Sequence, residues 1–197
     1  DDLLKKKISV GETDSGSEKN SEQILQIYGL SDNLIETVNM NYTEEAEALS
    51  SGRIDAIFCT AGTQTSMIEG LAQKCDIRLL SIDATHMEKL LAESDTYSNY
   101  TIPAGTYTGQ QEDVTTIGVS ALLLARTDLD DKTVEKLTGI LFNHAQDISY
   151  ATSLNLTLTP EQAVKNVPVP FHKGAAAYYE KQGLSVTTEE GGQRYAF

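Results

Sequence analysis

Gly11-Glu12-Thr13-Asp14-Ser15-Gly16-Ser17 has the residue types and spacing of an anion-holding loop. Its two glycines are spaced as at the start of a phosphate-binding loop, but the lysine that such a loop requires next is Ser17 here. Glu12, Asp14 and Glu18 would repel a polyphosphate. What remains is a helix start with free backbone N–H groups and two hydroxyls, a set that suits one carboxylate or another small polar group. The same residues also read as a plain serine cap after a glycine turn, and by themselves leave both readings open. Thr60-Ala61-Gly62-Thr63 repeats the pattern, with small residues between an apolar run and a helix start. Ligands of open α/β sheets bind outside the carboxyl ends of strands. The two loops therefore face one cleft if their strands are near neighbours.

Other chemistry is sparse. His86, His144 and His172 have no partner at metal-ligand spacing, and neither HExxH nor GxSxG occurs. No catalytic residue, metal ligand or cofactor is assigned. Asp55, just after Arg53, reads as half of a strand-end ion pair. The nine tyrosines are dispersed and there is no tryptophan, so no base-stacking platform stands out. Cys59 ends a strand and Cys75 ends the following helix. About ten helical residues span ~15 Å, and a disulfide needs Cα atoms within ~7 Å, so both thiols are expected to be reduced.

Charge and length exclude further classes. The 197 residues carry a formal charge of −14, which opposes nucleic acid and anionic lipid alike. Lys5-Lys6-Lys7 is the one basic cluster and reads as a solvated approach to a strand. No apolar run approaches the roughly 18 residues of a membrane span, so direct insertion is not expected. The sequence begins at Asp1 without Met, as a processed chain or a fragment does.

The elements that position these loops follow from periodicity. Strands are expected at 7–10, 37–40, 54–59, 77–82 and, longest of all, 116–126. Helices are expected from Ser17 to Gly29, from Thr43 to Gly52, at 66–74, after Asp83, at 131–148, from Thr159-Pro160, and at 174–182. Residues 101–113 read as loop, and the tail from Ser185 shows no periodicity and reads as disordered. The alternation before residue 95 predicts βαβ units and an α/β fold with a mostly parallel sheet. The helix at 131–148 carries Val134, Leu137 and Leu141 on one stripe, with Ile140 and Ile148 beside it.

Together these segments resemble a known family. The carriers are the loop from Gly11 to Glu18, then Gln23-Ile24-Leu25-Gln26-Ile27-Tyr28-Gly29, Ile54-Asp55-Ala56-Ile57-Phe58-Cys59-Thr60-Ala61-Gly62 and Asp76-Ile77-Arg78-Leu79-Leu80-Ser81-Ile82-Asp83. Thr101-Ile102-Pro103-Ala104-Gly105-Thr106-Tyr107-Thr108-Gly109-Gln110, Glu112-Asp113-Val114 and Pro168-Val169-Pro170-Phe171-His172 continue it. Over roughly residues 5–184 the chain resembles the TAXI solute receptors, the extracytoplasmic binding proteins of one class of TRAP transporters. The resemblance implies a type II periplasmic-binding-protein fold, with two α/β lobes around a cleft that holds a small organic acid or amino acid. It implies ligand contacts from Ser15, Gly16, Ser17, Thr60, Ala61, Gly62 and, from a returning loop, Tyr107. It implies the membrane components of a TRAP-type transporter as partners, and a periplasmic or extracytoplasmic location after removal of a leader.

On that reading, residues 5–110 form a complete second lobe. Residues 111–184 are a crossover strand and helices returning to a first lobe most of which lies outside this chain, and 185–197 are a tail. An α/β enzyme using the 11–17 loop for a phosphate or nucleotide is the alternative from another class. An ABC-type binding protein or a receptor ligand domain of the same fold is a further one.

Overall fold

A computed structural model describes residues 2–152, 158–165 and 167–188. The chain divides into two compact units, Asp1–Gly118 and Val119–Phe197.

The first unit is built on β1 (Lys7–Ser9), which lies between β2 (Glu36–Val38) and β3 (Ala56–Ile57) in the order β2-β1-β3. Both pairings are parallel, with Ile8 opposite Thr37 on one side and Ala56 on the other. Parallel neighbours need crossovers. Helix α1 (Gly16–Ile27) links β1 to β2, and α2 (Tyr42–Ser50) links β2 to β3. Helices α3 (Ser66–Ala72) and α4 (Ala84–Glu93) follow, then a second sheet of β4 (Tyr97–Ile102) and β5 (Val114–Val119). The fold is α/β with a parallel three-stranded sheet, consistent with a periplasmic-binding-protein-like architecture.

Helix α1 is held from two sides. Leu25 joins Ile8, Val10 and Ile35 in one buried cluster. Ile24, Ile27 and Tyr28 pack on a second cluster of Ile82, Met87, Leu90 and Tyr97. Burying each such side chain contributes about 1.5–3 kcal/mol, so the helix that ends the 11–17 loop is anchored by core on both faces.

Several elements differ from the sequence expectation, each for an identifiable reason. The helix cap is Ser15, whose Oγ accepts from Glu18 N–H, and not Ser17. Helix α2 is capped by Asn41 and not Thr43; Asn41 and Glu44 form a reciprocal capping box. The strand expected at 54–59 shrinks to two residues because β1 offers only three to pair with. Residues 77–82 form no strand: the sheet ends at β3, and a lone apolar run has no ladder to join. Their backbone is tied instead by Ile82 N–H donating to the Thr115 carbonyl at 2.9 Å. Residues 97–102, expected to be loop from 101, pair with β5 as β4, and β5 stops at Val119 well short of 126.

In the second unit α5 (Asp131–Asn143) ends at His144, and α6 (Ala145–Thr152) starts afresh, so the expected single helix is two. His144 sits at φ −114°, off the helical path, with its ring 2.9 Å from Asp147. Helices α7 (Pro160–Ala163) and α8 (Lys173–Lys181) complete the described elements. Thr159 caps α7 ahead of Pro160. Helix α8 packs on α5 so closely that a Cβ at Gly174 would stand 2.2 Å from the Asp131 carbonyl. Phe142 stacks on Tyr178 and meets Tyr179 edge-on, and Phe171 meets Tyr179 the same way. The stripe on α5 is divided: Val134 is buried, while Leu137 and Ile140 are 44% and 42% exposed. Of the expected tail, residues 185–188 are described, with Phe171 N–H donating to Thr187 O at 2.8 Å; 189–197 lie outside the described residues.

Candidate functional site

The two loops singled out by spacing meet, and both belong to the first unit. They leave neighbouring strands, β1 and β3, at the same edge of a parallel sheet. Gly11 makes the first turn possible. Its φ is +101°, and a Cβ there would lie 2.6 Å from the Ser17 Cβ. Asp14 is also left-handed, at φ +62°, and is held by its N–H donating to Glu18 Oε2 at 2.7 Å. Glu18 Oε1 accepts from Asn39 Nδ2, so this carboxylate is turned into its own loop.

A ring of hydrogen bonds joins the loops. Thr60 N–H donates to Ser17 Oγ at 3.2 Å, and the Tyr42 hydroxyl donates to the Thr60 carbonyl at 2.8 Å. With its proton so used, Tyr42 accepts from Ser17 Oγ–H across 3.2 Å. Asn20 Nδ2 donates to Thr60 Oγ1 at 3.1 Å. The Tyr97 hydroxyl stands between Asn20 Oδ1, at 2.9 Å, and Gln23 Oε1. The N–H, carbonyl and hydroxyl oxygen of Thr60 are thereby each engaged by protein.

The donors left over are backbone groups. Among the described residues the N–H groups of Gly16, Ser17, Ala61 and Gly62 make no hydrogen bond. Gly16, Ala61 and Gly62 are exposed. Gly16 and Ser17 open α1, where the aligned peptide dipoles favour negative charge. Exposed main-chain donors at a helix start are the chemistry that suits a small anionic or polar group.

Tyr107 lies between β4 and β5. It is buried, and its hydroxyl accepts from Gln64 N–H at 3.0 Å, bracing the loop into α3. Burial pushes its phenol pKa up. Thr63 Oγ1 is 2.7 Å from the Tyr100 hydroxyl, a second brace on that loop.

Beneath the ring lies Glu45 on α2, fully buried, with Ser9 Oγ donating to its Oε1 at 2.7 Å. Cys59, just ahead of Thr60, has its thiol pushed up to about 11 by burial first and by the nearby Glu45 second. A thiol held that high is not a nucleophile at neutral pH. Cys59 and Cys75 are both free.

Sequence reasoning missed Tyr42, Asn20, Tyr97 and Glu45. Asn20 and Gln23 follow Ser17 at intervals of three, a shared helix face that was there to be read. Tyr42 and Tyr97 reach the site across long sequence separations, and nothing local marks them. Among the described residues no group of His, Cys, Asp and Glu is arranged to hold a metal ion, and no helix is long and apolar enough to cross a membrane.

The match to known proteins agrees with this geometry. The model of the NMT1-like family, a periplasmic-binding-protein-like family, covers residues 1–183. Binding proteins of this kind take a small-molecule ligand and work with transporter partners. A parallel sheet whose strand-end loops converge with free main-chain donors, matched over nearly its whole length, places this chain in the NMT1-like family of solute-binding proteins.

Proposed function

We propose that the chain is the ligand-binding part of a TAXI-type solute receptor serving a TRAP-type transporter outside the cytoplasm. It captures a small organic acid or amino acid by a carboxylate, held on the N–H groups of Gly16, Ser17, Ala61 and Gly62. The observation that carries this reading is the Thr60-to-Ser17 hydrogen bond, which brings the two donor-bearing loops together. The absence of lysine at position 17 and the acidity of Glu12 and Asp14 favour a single carboxylate over a polyphosphate.

Gly16 offers a clean test because it is the first residue of α1, where proline is tolerated. Ser15, at φ −83° and ψ 161°, already has the extended backbone that precedes proline. Gly16→Pro removes one donor and leaves the helix intact. Gly16→Ala keeps the donor, and its Cβ would meet nothing within 4 Å. A hydrogen bond to a charged group contributes about 1.5–3 kcal/mol. Calorimetric titration with amino acids and short dicarboxylates should therefore show binding weakened by about tenfold or more in Gly16→Pro and kept in Gly16→Ala. Equal affinity in both variants, or no saturable binding of any such solute, would overturn the assignment.

A further inference from the structure

Glu45 is an ionisable side chain at 0% exposure with no ion-pair partner among the described residues. Its Oε1 accepts from Ser9, itself fully buried, while Oε2 has no hydrogen-bond partner among the described residues. Among the described residues, the groups on the surrounding elements supply no cation to it. On β1, Lys7 pairs with Glu36. After β3, the facing titratable group is the Cys59 thiol. On α3, which packs against α2, Glu69 is taken up by Thr108 and Gln73. On α2 itself stand Tyr42, Glu44 and Glu47, and beyond it Arg53 Nε donates to Ser51. Burying a lone carboxylate is so unfavourable that such a group shifts toward its neutral form.

Helix α2 also carries the clamp on the loops. Tyr42 lies three residues before Glu45, on the same helix face. Its hydroxyl holds the Thr60 carbonyl and the Ser17 hydroxyl. Ser9 and Gly11, on the other side of Glu45, lead directly into the 11–17 loop.

We propose that Glu45 is a proton-controlled positioning residue: neutral, it seats α2 on β1 and holds the 11–17 and 59–62 loops together, and ionised, it loosens that seat and both loops with it. The neutral acid leaves no buried charge. Once ionised, the carboxylate gains by drawing water toward Oε2, which shifts α2 and the Tyr42 clamp. Burial raises the Glu45 pKa, and the hydrogen bond from Ser9 together with the nearby Gly11 backbone pulls it partly back. With the folded pKa above the unfolded one, the contribution is full below the unfolded value and is lost as pH rises through the folded one. This control goes beyond the solute reading and needs no solute.

The test uses the isotopically labelled chain without ligand. The Glu45 carboxyl carbon and the amides of Gly11, Ser17, Cys59 and Thr60 are followed by NMR from pH 4 to about 8, across the glutamate range and above it. The carboxyl carbon should titrate above the ordinary glutamate range. The four amides should shift along the same curve, and that curve should vanish in Glu45→Gln. A Glu45 carboxyl titrating in the ordinary range, amides still through its midpoint, or an unchanged amide curve in Glu45→Gln would each overturn the proposal. Should Glu45→Gln fail to fold, the wild-type carboxyl and amide curves decide alone, by coinciding or not.

Discussion

Gly11 shows how much of the site rests on one missing side chain. Its left-handed φ of +101° and the 2.6 Å approach to the Ser17 Cβ both forbid a methyl group. Gly11→Ala should lose about 2–4 kcal/mol, from backbone strain and forced repacking together. Gly16→Ala, in open space at the other end of the same loop, should stay within about 0.5 kcal/mol of wild type. Urea unfolding followed by tyrosine fluorescence measures both, and a Gly11→Ala loss no larger than that of Gly16→Ala would refute the argument. At this scale the loop was legible from residue type and spacing, since small and hydroxyl-bearing residues after apolar runs suit few other places. Which serine caps α1 was not, because Ser15 and Ser17 flank Gly16 with equal cap preference. Tertiary contact decides it: Ser17 is drawn inward to Thr60, which leaves the cap to Ser15. Tyr42 could not be read at all, for its role depends on a partner in another loop.

Among the elements, helices were read more reliably than strands. A helix satisfies its own backbone, so caps such as Asp83 and Thr159 fix its start locally. A strand exists only as far as its neighbour reaches, which is why 77–82 and 120–126 are not strands despite their apolar runs. The start of α4 also carries a pH signature. Asp83 accepts from His86 N–H, receives the Tyr28 hydroxyl at 2.8 Å and contacts the His86 ring, which stacks on Tyr28 with centroids 3.8 Å apart. The Tyr28 hydrogen bond first, then His86, hold its pKa down at about 2. A depressed carboxyl stabilises above its unfolded pKa of about 3.9 and stops doing so as pH falls through the folded value. Thermal melts of wild type and Asp83→Asn should therefore differ at pH 5 and converge toward pH 2. A gap that stays constant over that range would show that Asp83 acts without its charge.

For the molecule as a whole, the family match over residues 1–183 spans both compact units, whose division falls at Gly118 and Val119 inside β5. The family resemblance implies a change of role near residue 110, and the contacts of the folded chain divide it at Gly118 and Val119. Just past it, Leu122, Leu123 and Leu124 are 40%, 73% and 71% exposed, in backbone that forms no strand. Runs of exposed apolar side chains are uncommon on monomers and raise association and dye binding. Substitutions at positions this exposed change stability by no more than about 0.5 kcal/mol, since they remove no burial. Leu123→Lys with Leu124→Lys should therefore leave the unfolding midpoint unchanged while lowering binding of a hydrophobic dye and concentration-dependent self-association. Both are read on the same chain by fluorescence and sedimentation. Dye binding that persists in the double variant would place the apolar surface elsewhere, with Leu137 and Ile140 on α5 the next positions to substitute. A midpoint that falls by several degrees would show instead that Leu123 and Leu124 are packed in solution, and that the run is core rather than surface.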